Sequence, residues 1–537
     1  MAMMDVQLNS WLLLDHAAAH FPTTEIVTRC VDGSVHRYTY ADFSARAHQL
    51  MHALDGLGLG RGDHVATLAW NGYRHLEAYF AVPCTERVLH TCNVRLSAED
   101  LSYIIGHADD RAVLVEPDLL PVLEQVHALG GLATVDHIIV LGATVPETSL
   151  SGVVAYEELI AGQPTTYPRR EIDEYAPLGL CYTSGTTGRP KGVVYTHRST
   201  FLHSQAVCSA SGLAVGPRDS VLPVVPMFHA NAWGLPYAAT ASGAKQVFLS
   251  GQLDAGALVD LLAEEQVTIT GGVPTVWLAV ADELAGRGES LPAMRHIMCG
   301  GSQPPRALIE RYRREFGLTI LQGWGMTETS PLASIAWPKE HMGQWSADRL
   351  TDEVRTKAGL PLPGVQVCIR DELGQDLPWD GTSLGELLVR GPWVADSYLS
   401  GESAQQFTED GWFVTGDIAI GTPEGYFVIA DRAKDLVKSG GEWISSVDME
   451  AAIMAMDGVC EAAVIAVPDP RWQERPLACI VPRDGVSVTV DDVRRHLEKA
   501  GFARWQLPDH VQVIDAIPRT GVGKFDKKAL RARFAPT

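Results

Sequence analysis

The sequence predicts an α/β protein: a large N-terminal region of parallel-type α/β subdomains with a β-rich section, then a small α+β C-terminal unit. Three observations predict it. Between about residues 175 and 330, short β-branched runs alternate with helical patterns, as a mainly parallel sheet covered by helices requires. From about Lys357, glycine and proline become frequent and the strands become short and alternating, which suggests an antiparallel or barrel-like section. After Asp431 a charged, glycine-rich stretch, Arg432 to Gly441, precedes a compact tail pattern of helix, two strands, helix and strand.

Taken in order, strands are expected at Val65–Ala69 and Ala112–Val115, between amphipathic helices. In the middle region, strands are expected at Ser220–Val225, Gln246–Leu249, Val267–Thr270, Arg295–Cys299 and Leu318–Leu321. These apolar runs are too short for buried helices, and the fourth stops at the break Gly300-Gly301. Ala255–Glu265 carries apolar residues at helical spacing, and Pro304-Pro305 opens a second helix running to Glu315. Strands at Gly364–Ile369, Gly385–Val389 and Tyr426–Ala430 follow. The tail reads as helix Val447–Met456, strands Ala462–Val467 and Leu477–Val481, helix Val490–Ala500 and a final strand Val511–Ile514.

The 537 residues correspond to three to four domains of roughly 150 each. Hydrophobic residues at 46% and charged ones at 20% exclude a largely disordered chain. Against 65 acidic side chains stand 43 basic ones, a net charge of −22 that argues against nucleic acid or an anionic membrane as partner. The nine cysteines form no C-x-x-C pair, so neither a disulfide framework nor a zinc site is indicated. No apolar run approaches the ~20 residues that span a bilayer, and Trp11–Leu14 lacks the basic flank of a signal peptide. A reduced, cytoplasmic protein is expected.

The most informative segment is Tyr182-Thr183-Ser184-Gly185-Thr186-Thr187-Gly188-Arg189-Pro190-Lys191-Gly192, set between two strand-like runs. Glycines let the backbone approach an anion, the hydroxyls donate, and Lys191 adds a cation: a cradle for polyphosphate. Arg189-Pro190 stands where a Walker loop needs Gly-Lys.

This segment resembles the signature loop of the adenylate-forming superfamily of acyl-CoA synthetases, luciferases and peptide-synthetase adenylation domains. Five further motifs support the likeness in chain order: Pro226-Met227-Phe228-His229, Gly323-Trp324-Gly325-Met326-Thr327-Glu328-Thr329, Gly411–Asp417, Asp431-Arg432-Ala433-Lys434-Asp435 and Pro518–Lys524. The likeness covers essentially the whole chain. It implies an N-terminal core over residues 1–430, a hinge at 431–435 centred on Lys434, and a mobile C-terminal domain over 436–537.

By this resemblance, ATP would activate a carboxylate as an acyl-adenylate with loss of pyrophosphate, and CoA would then take the acyl group. Thr183, Ser184, Gly185, Thr186, Thr187, Gly188 and Lys191 would hold the phosphates. Lys524 would bridge the attacking carboxylate and the α-phosphate as a compact cation on a long stem. Glu328 would hold Mg²⁺, Thr327 would bond the α-phosphate, and Gly323, Gly325 and Met326 would shape the loop around them. Trp324 would lie against adenine, with Gly300, Gly301 and Ser302 lining the same purine pocket. Asp417 and Arg432 would take the ribose; alone, Thr-Gly-Asp is an ordinary turn. Lys438, Gly440 and Gly441 would replace Lys524 after rotation of the tail and form part of the thiol channel.

His229 and Trp233 lie in a segment resembling the acyl site of medium- and long-chain fatty acyl-CoA ligases, with Trp233 as the gate. No aspartate stands where peptide-synthetase domains hold an amino group, which favours a free-standing ligase. Gln303, and the run Cys84-Thr85-Glu86-Arg87, depart from the small residues usual in fatty acyl enzymes and admit a polar or aromatic acid. The same machinery serves diazotases, which activate nitrite and diazotise an arylamine without CoA. A non-catalytic scaffold is disfavoured because Lys524, Glu328, Thr187 and Asp417 are all present. Similar fatty acyl enzymes form homodimers, which is expected here by analogy.

Overall fold

A computed structural model describes residues 3–183, 189–439, 442–483, 485–519 and 525–535. Two large sheets, one of seven strands and one of nine, carry most of the chain. The seven-stranded sheet runs, in spatial order, Val153–Ala155, His137–Val140, Asp110–Val115, His64–Leu68, Val88–Thr91, Pro177–Tyr182 and Gly192–Thr196. Every pair in it is parallel except the last, which leaves Pro177–Tyr182 and Gly192–Thr196 as the two arms of the glycine-rich loop. The nine-stranded sheet is parallel from Glu25–Arg29 through Lys245–Leu249, Ser220–Pro223, Ile269–Gly272 and His296–Cys299 to Ile320–Gly325. Antiparallel strands finish both of its edges.

The expected alternation of strand and helix holds, with boundaries shifted by a few residues. One difference concerns the N-terminus. Glu25–Arg29 leaves the first subdomain and pairs with Lys245–Leu249, so the two large sheets share one continuous core around Trp11, Phe43, Phe80 and Tyr237. Helix starts are set locally: Thr39 and Thr196 each cap a helix by accepting from the backbone three residues on.

The β-rich section is an open antiparallel sheet of Gln366–Arg370, Leu384–Arg390, Phe413–Gly421 and Phe427–Arg432. A five-stranded sheet follows, with Val459–Asp469 and Gln473–Pro482 as its long hairpin. Both faces of this sheet are buried: Val464 and Ile480 lie in one cluster, Ile465 and Leu477 in another. The second face is covered by Leu530 of a helix, Lys527–Phe534, that the sequence reading left out. Its highly charged sequence hides a single core-facing leucine. Lys527 at its first turn ion-pairs with Glu450 at 2.7 Å and donates to Ser446 Oγ at 2.6 Å, and Ser446 N–H donates to Asp431 at 2.7 Å. Among the described residues, no helix is long and apolar enough to cross a membrane.

Within the seven-stranded sheet, His90 and Asp110 flank the His64–Leu68 strand, wholly buried and 2.7 Å apart. Burial alone would lower the imidazole's pKa; the Asp110 carboxylate, with Cys92, overrides it and pushes His90 up to about 10. An unfolded histidine titrates near 6.5, so the folded chain holds an extra proton between that pH and about 10. The stabilisation is complete below about pH 6.5 and is lost as pH rises through the folded value. Melting temperature is therefore expected to fall between pH 7 and pH 9.5, and Asp110→Asn, itself less stable at pH 7, is expected to show a flatter profile over that window.

Candidate active site

A cavity of about 440 Å³ opens at the carboxyl ends of the strands His296–Cys299 and Ile320–Gly325. The end of a parallel sheet is where backbone groups and loops converge on a ligand. Gly300, Gly301, Gly323, Trp324 and Gly325 form one wall. Gly325 permits the fold locally, since a Cβ there would lie 1.8 Å from the carbonyl oxygen of Pro331.

On the opposite side, the base of the glycine-rich loop is closed by Thr183 N–H donating to the Lys191 carbonyl at 2.9 Å and Lys191 N–H donating to Thr183 Oγ1 at 3.3 Å. Ser184, Gly185, Thr186, Thr187 and Gly188 lie outside the described residues. Lys191 Nζ donates to Gln406 Oε1 at 2.6 Å and sits over the Tyr398 ring, 4.9 Å from its centre. Across the cavity Tyr398 Oη donates to Glu328 Oε1 at 2.6 Å. Burial, and then the Glu328 carboxylate, hold the Tyr398 phenol well above its usual pKa, so it remains a donor. Glu328 is buried in the short turn Thr327–Thr329, where Ala395 N–H reaches its carbonyl at 2.8 Å and Tyr195 Oη reaches that of Thr327 at 2.7 Å.

Asp417 is buried and ion-paired with Arg432 Nε at 2.8 Å, its register partner on the next strand. Trp324 Nε1 donates to the second carboxylate oxygen at 3.3 Å. Thr415, Gly416 and Arg432 rather than Asp417 face the cavity, and Arg432, Ala433, Lys434 and Asp435 continue its wall. Burial lowers the pKa of Lys434. Phe525 also lines the cavity; its neighbour Lys524 lies outside the described residues, as do Gly440 and Gly441.

His229, Ala230 and Trp233 form the apolar side together with Met298 and Leu332. Their backbone is unusual. Ala230, Asn231, Ala232 and Trp233 hold φ at 43°, 52°, 51° and 56°, followed by Gly234 at 73°. Each non-glycine residue in this left-handed region costs roughly 1–2 kcal/mol. The turn presses the Trp233 indole over Gly300, where a Cβ would stand 3.2 Å from Cη2.

Several expected residues sit elsewhere. Ser302 is exposed and Gln303 half-buried, and neither lines the cavity. Lys438 lies over Trp443, 4.6 Å from its ring centre, away from the cavity. The Cys84–Arg87 run, expected to bear on the acyl site, lies away from it. Trp11 Nε1 donates to the Cys84 carbonyl at 2.9 Å and Arg87 pairs with Asp55 at 2.8 Å, so the run packs the core and does not line the cavity. The buried group His90, Cys92 and Asp110 does not line it either, and His90 bonds Asp110 directly. Sequence reasoning missed Tyr398 and Gln406, which sit in no recognisable local pattern, and Met298 and Phe525, which lie within an expected strand and just past a recognised motif.

Residues 14–399 match the family model of the AMP-binding enzymes, and residues 448–524 match that of the AMP-binding enzyme C-terminal domain. The chain belongs to the AMP-binding enzyme family. It is 50% identical to a long-chain-fatty-acid–CoA ligase of Thermus thermophilus, over 99% of this chain and 96% of the relative. A medium-chain-fatty-acid–CoA ligase of Ectopseudomonas oleovorans is 40% identical, over 99% and 97%. Among solved structures, ATP-bound MatB from Rhodopseudomonas palustris superposes with a TM-score of 0.84 at 25% identity, covering 98% of this chain and 99% of that one.

The cavity wall tests how tightly this family site is packed. A Cβ at position 300 would fall 2.9 Å from the Gly323 carbonyl oxygen as well as against Trp233. Gly300→Ala is expected to cost about 1–3 kcal/mol of stability and to weaken nucleotide binding, read by melting and by titration with ATP.

Proposed function

We propose that the chain is an AMP-forming carboxylate–CoA ligase whose reaction runs in this cavity. The observation that carries the reading is convergence: Lys191, Glu328, Arg432 and the residue next to Lys524, spread over more than 300 positions of sequence, line one cavity. The relatives named as CoA ligases favour a carboxylate over nitrite as the group activated.

ATP activation here is an electrostatic problem, because a carboxylate must reach the α-phosphorus of a polyanion. Lys191 and the backbone of residues 183–188 are assigned to the outer phosphates, and Lys524 to the charge that develops between carboxylate and α-phosphate. Pyrophosphate leaves with the electrons of the broken P–O bond, and an acyl-adenylate remains. The CoA thiol then attacks the acyl carbon and AMP departs. Glu328 offers a hard, buried carboxylate in the cavity that Thr183 and Lys191 also line, a donor that suits Mg²⁺; bound there, the ion would neutralise phosphate charge. Arg432, fixed by Asp417, is assigned to the ribose, and Trp324 to the adenine.

The proposed division is a core over 1–430, a hinge at 431–435 and a mobile domain over 436–537. Closure of that domain would bring Lys524 in, and rotation would exchange it for Lys438 to Gly441. The acid is assigned to the medium- or long-chain fatty class. The relatives' names and the apolar side formed by Trp233, Met298 and Leu332 support this.

Pyrophosphate release measured over fatty acids, aryl acids and nitrite, with and without CoA, is expected only with carboxylic acids, AMP being the nucleotide product. Release with nitrite alone, or formation of ADP, would sink the reading. Lys524→Ala is expected to cut adenylation by several orders of magnitude while ATP affinity changes little, since its contact forms chiefly in the transition state. Lys434→Pro should leave acyl-adenylate formation intact and abolish thioester formation; equal loss of both half-reactions would count against the hinge.

A further inference from the structure

The left-handed run Ala230–Trp233 is buried, and its conformation is one that four successive side-chain-bearing residues do not adopt unaided. Two backbone hydrogen bonds, Ala232 N–H to the His229 carbonyl at 3.1 Å and Gly234 N–H to the Asn231 carbonyl at 2.9 Å, are internal to the turn. Ala230, Ala232 and Trp233 pack into the large core. Among the described residues, the side-chain hydrogen bonds that tie the turn to the sheet converge on one atom. Asn231 Oδ1 accepts from Thr91 Oγ1 and from Cys181 Sγ, both at 3.3 Å. Those donors are neighbours by design of the sheet: Thr91 and Cys181 are register partners on adjacent parallel strands, so their side chains stand together on one face. Gly179, two residues earlier on the same face, lies beside the amide; a Cβ there would be in ordinary contact with Asn231 Nδ2 at 3.7 Å.

We propose that Asn231 is a positioning residue for the acid. Its hydrogen bonds to Thr91 and Cys181 lock the turn left-handed and thereby set where Trp233 and His229 stand in the cavity. This deepens the reading of the cavity as the site of carboxylate activation and rests on it. The chemistry of the anchor fits the task. Asparagine tolerates the left-handed region better than most side chains, and its carbonyl can take two donors at once. The anchor also spans two structural units: the donors belong to the seven-stranded sheet, whereas the turn follows Ser220–Pro223 of the nine-stranded one. The acid's placement is thus registered against the strand that leads into the glycine-rich loop, so acid and phosphate are held in one frame.

Pyrophosphate exchange with the best carboxylic acid of the panel tests this, using Asn231→Ala, Asn231→Gly and Thr91→Val with Cys181→Ala. Asn231→Ala is expected to lower kcat/KM for the acid by about tenfold to a hundredfold, as for a displaced positioning group, while KM for ATP stays within about twofold. The Thr91/Cys181 double variant, which leaves Asn231 in place, should reproduce that split. Asn231→Gly should retain more activity toward the acid than Asn231→Ala, because glycine enters the left-handed region without strain. A mere packing role predicts the reverse order, since glycine leaves the larger void. Equal kcat/KM for the acid in wild type and Asn231→Ala, parallel loss of acid and ATP parameters, or glycine worse than alanine would each overturn the proposal and leave the ligase reading standing. A wild type that releases no pyrophosphate with any acid overturns both.

Discussion

The geometry of the cavity depends on one ion pair, the buried Asp417 with the partly exposed Arg432. A carboxylate as buried as Asp417 must be paired, because desolvated charge without a partner is strongly destabilising. Its two oxygens are shared between Arg432 across the strand pair and the Trp324 indole on the large sheet. The pair therefore joins three pieces: the wall at Trp324, the antiparallel sheet that holds Asp417, and the segment after Arg432 that lines the cavity on its way to the five-stranded unit. In a chain of net charge −22, such local pairing is how a site for an anion is assembled at all. Arg432 and Lys191 are each held in place by a neighbouring acceptor, Asp417 and Gln406, so little rearrangement is asked of them when a ligand arrives.

Much of the fold was legible because periodicity reports burial directly. Ser220–Pro223 and Ile269–Gly272 are short, apolar and bounded by breaks, and they became adjacent parallel strands. The helix Lys527–Phe534 was not legible, since one leucine among charges carries no period and only the second bare face of the five-stranded sheet calls for it. The strand Glu25–Arg29 was not among those expected; its partner lies more than 200 residues away, and no local pattern specifies that pairing.

At the site, residues in compact motifs could be nominated from sequence because their backbone chemistry is local: glycines for close approach, hydroxyls and a lysine for anions. The structure brings Thr183, Lys191, Glu328, Arg432 and His229 to the same cavity. Residues that act through distant packing were invisible. Tyr398 reaches Glu328 from 70 positions away, and Gln406 reaches Lys191 from 215. Gln303 misled for the converse reason: its position in the chain sits beside the motif, while its side chain does not enter the cavity.

The docking of Leu530 beneath the five-stranded sheet has a practical corollary for anyone handling the polypeptide. The helix that bears it begins three residues beyond Lys524, and its first residue is the lysine that neutralises Glu450. Clipping the last dozen residues by a carboxypeptidase, or replacing them with a fusion partner, would spare every recognisable motif yet strip the small unit of the ballast that keeps its second face dry. Assays on such shortened material would report on a damaged scaffold and say nothing about the chemistry.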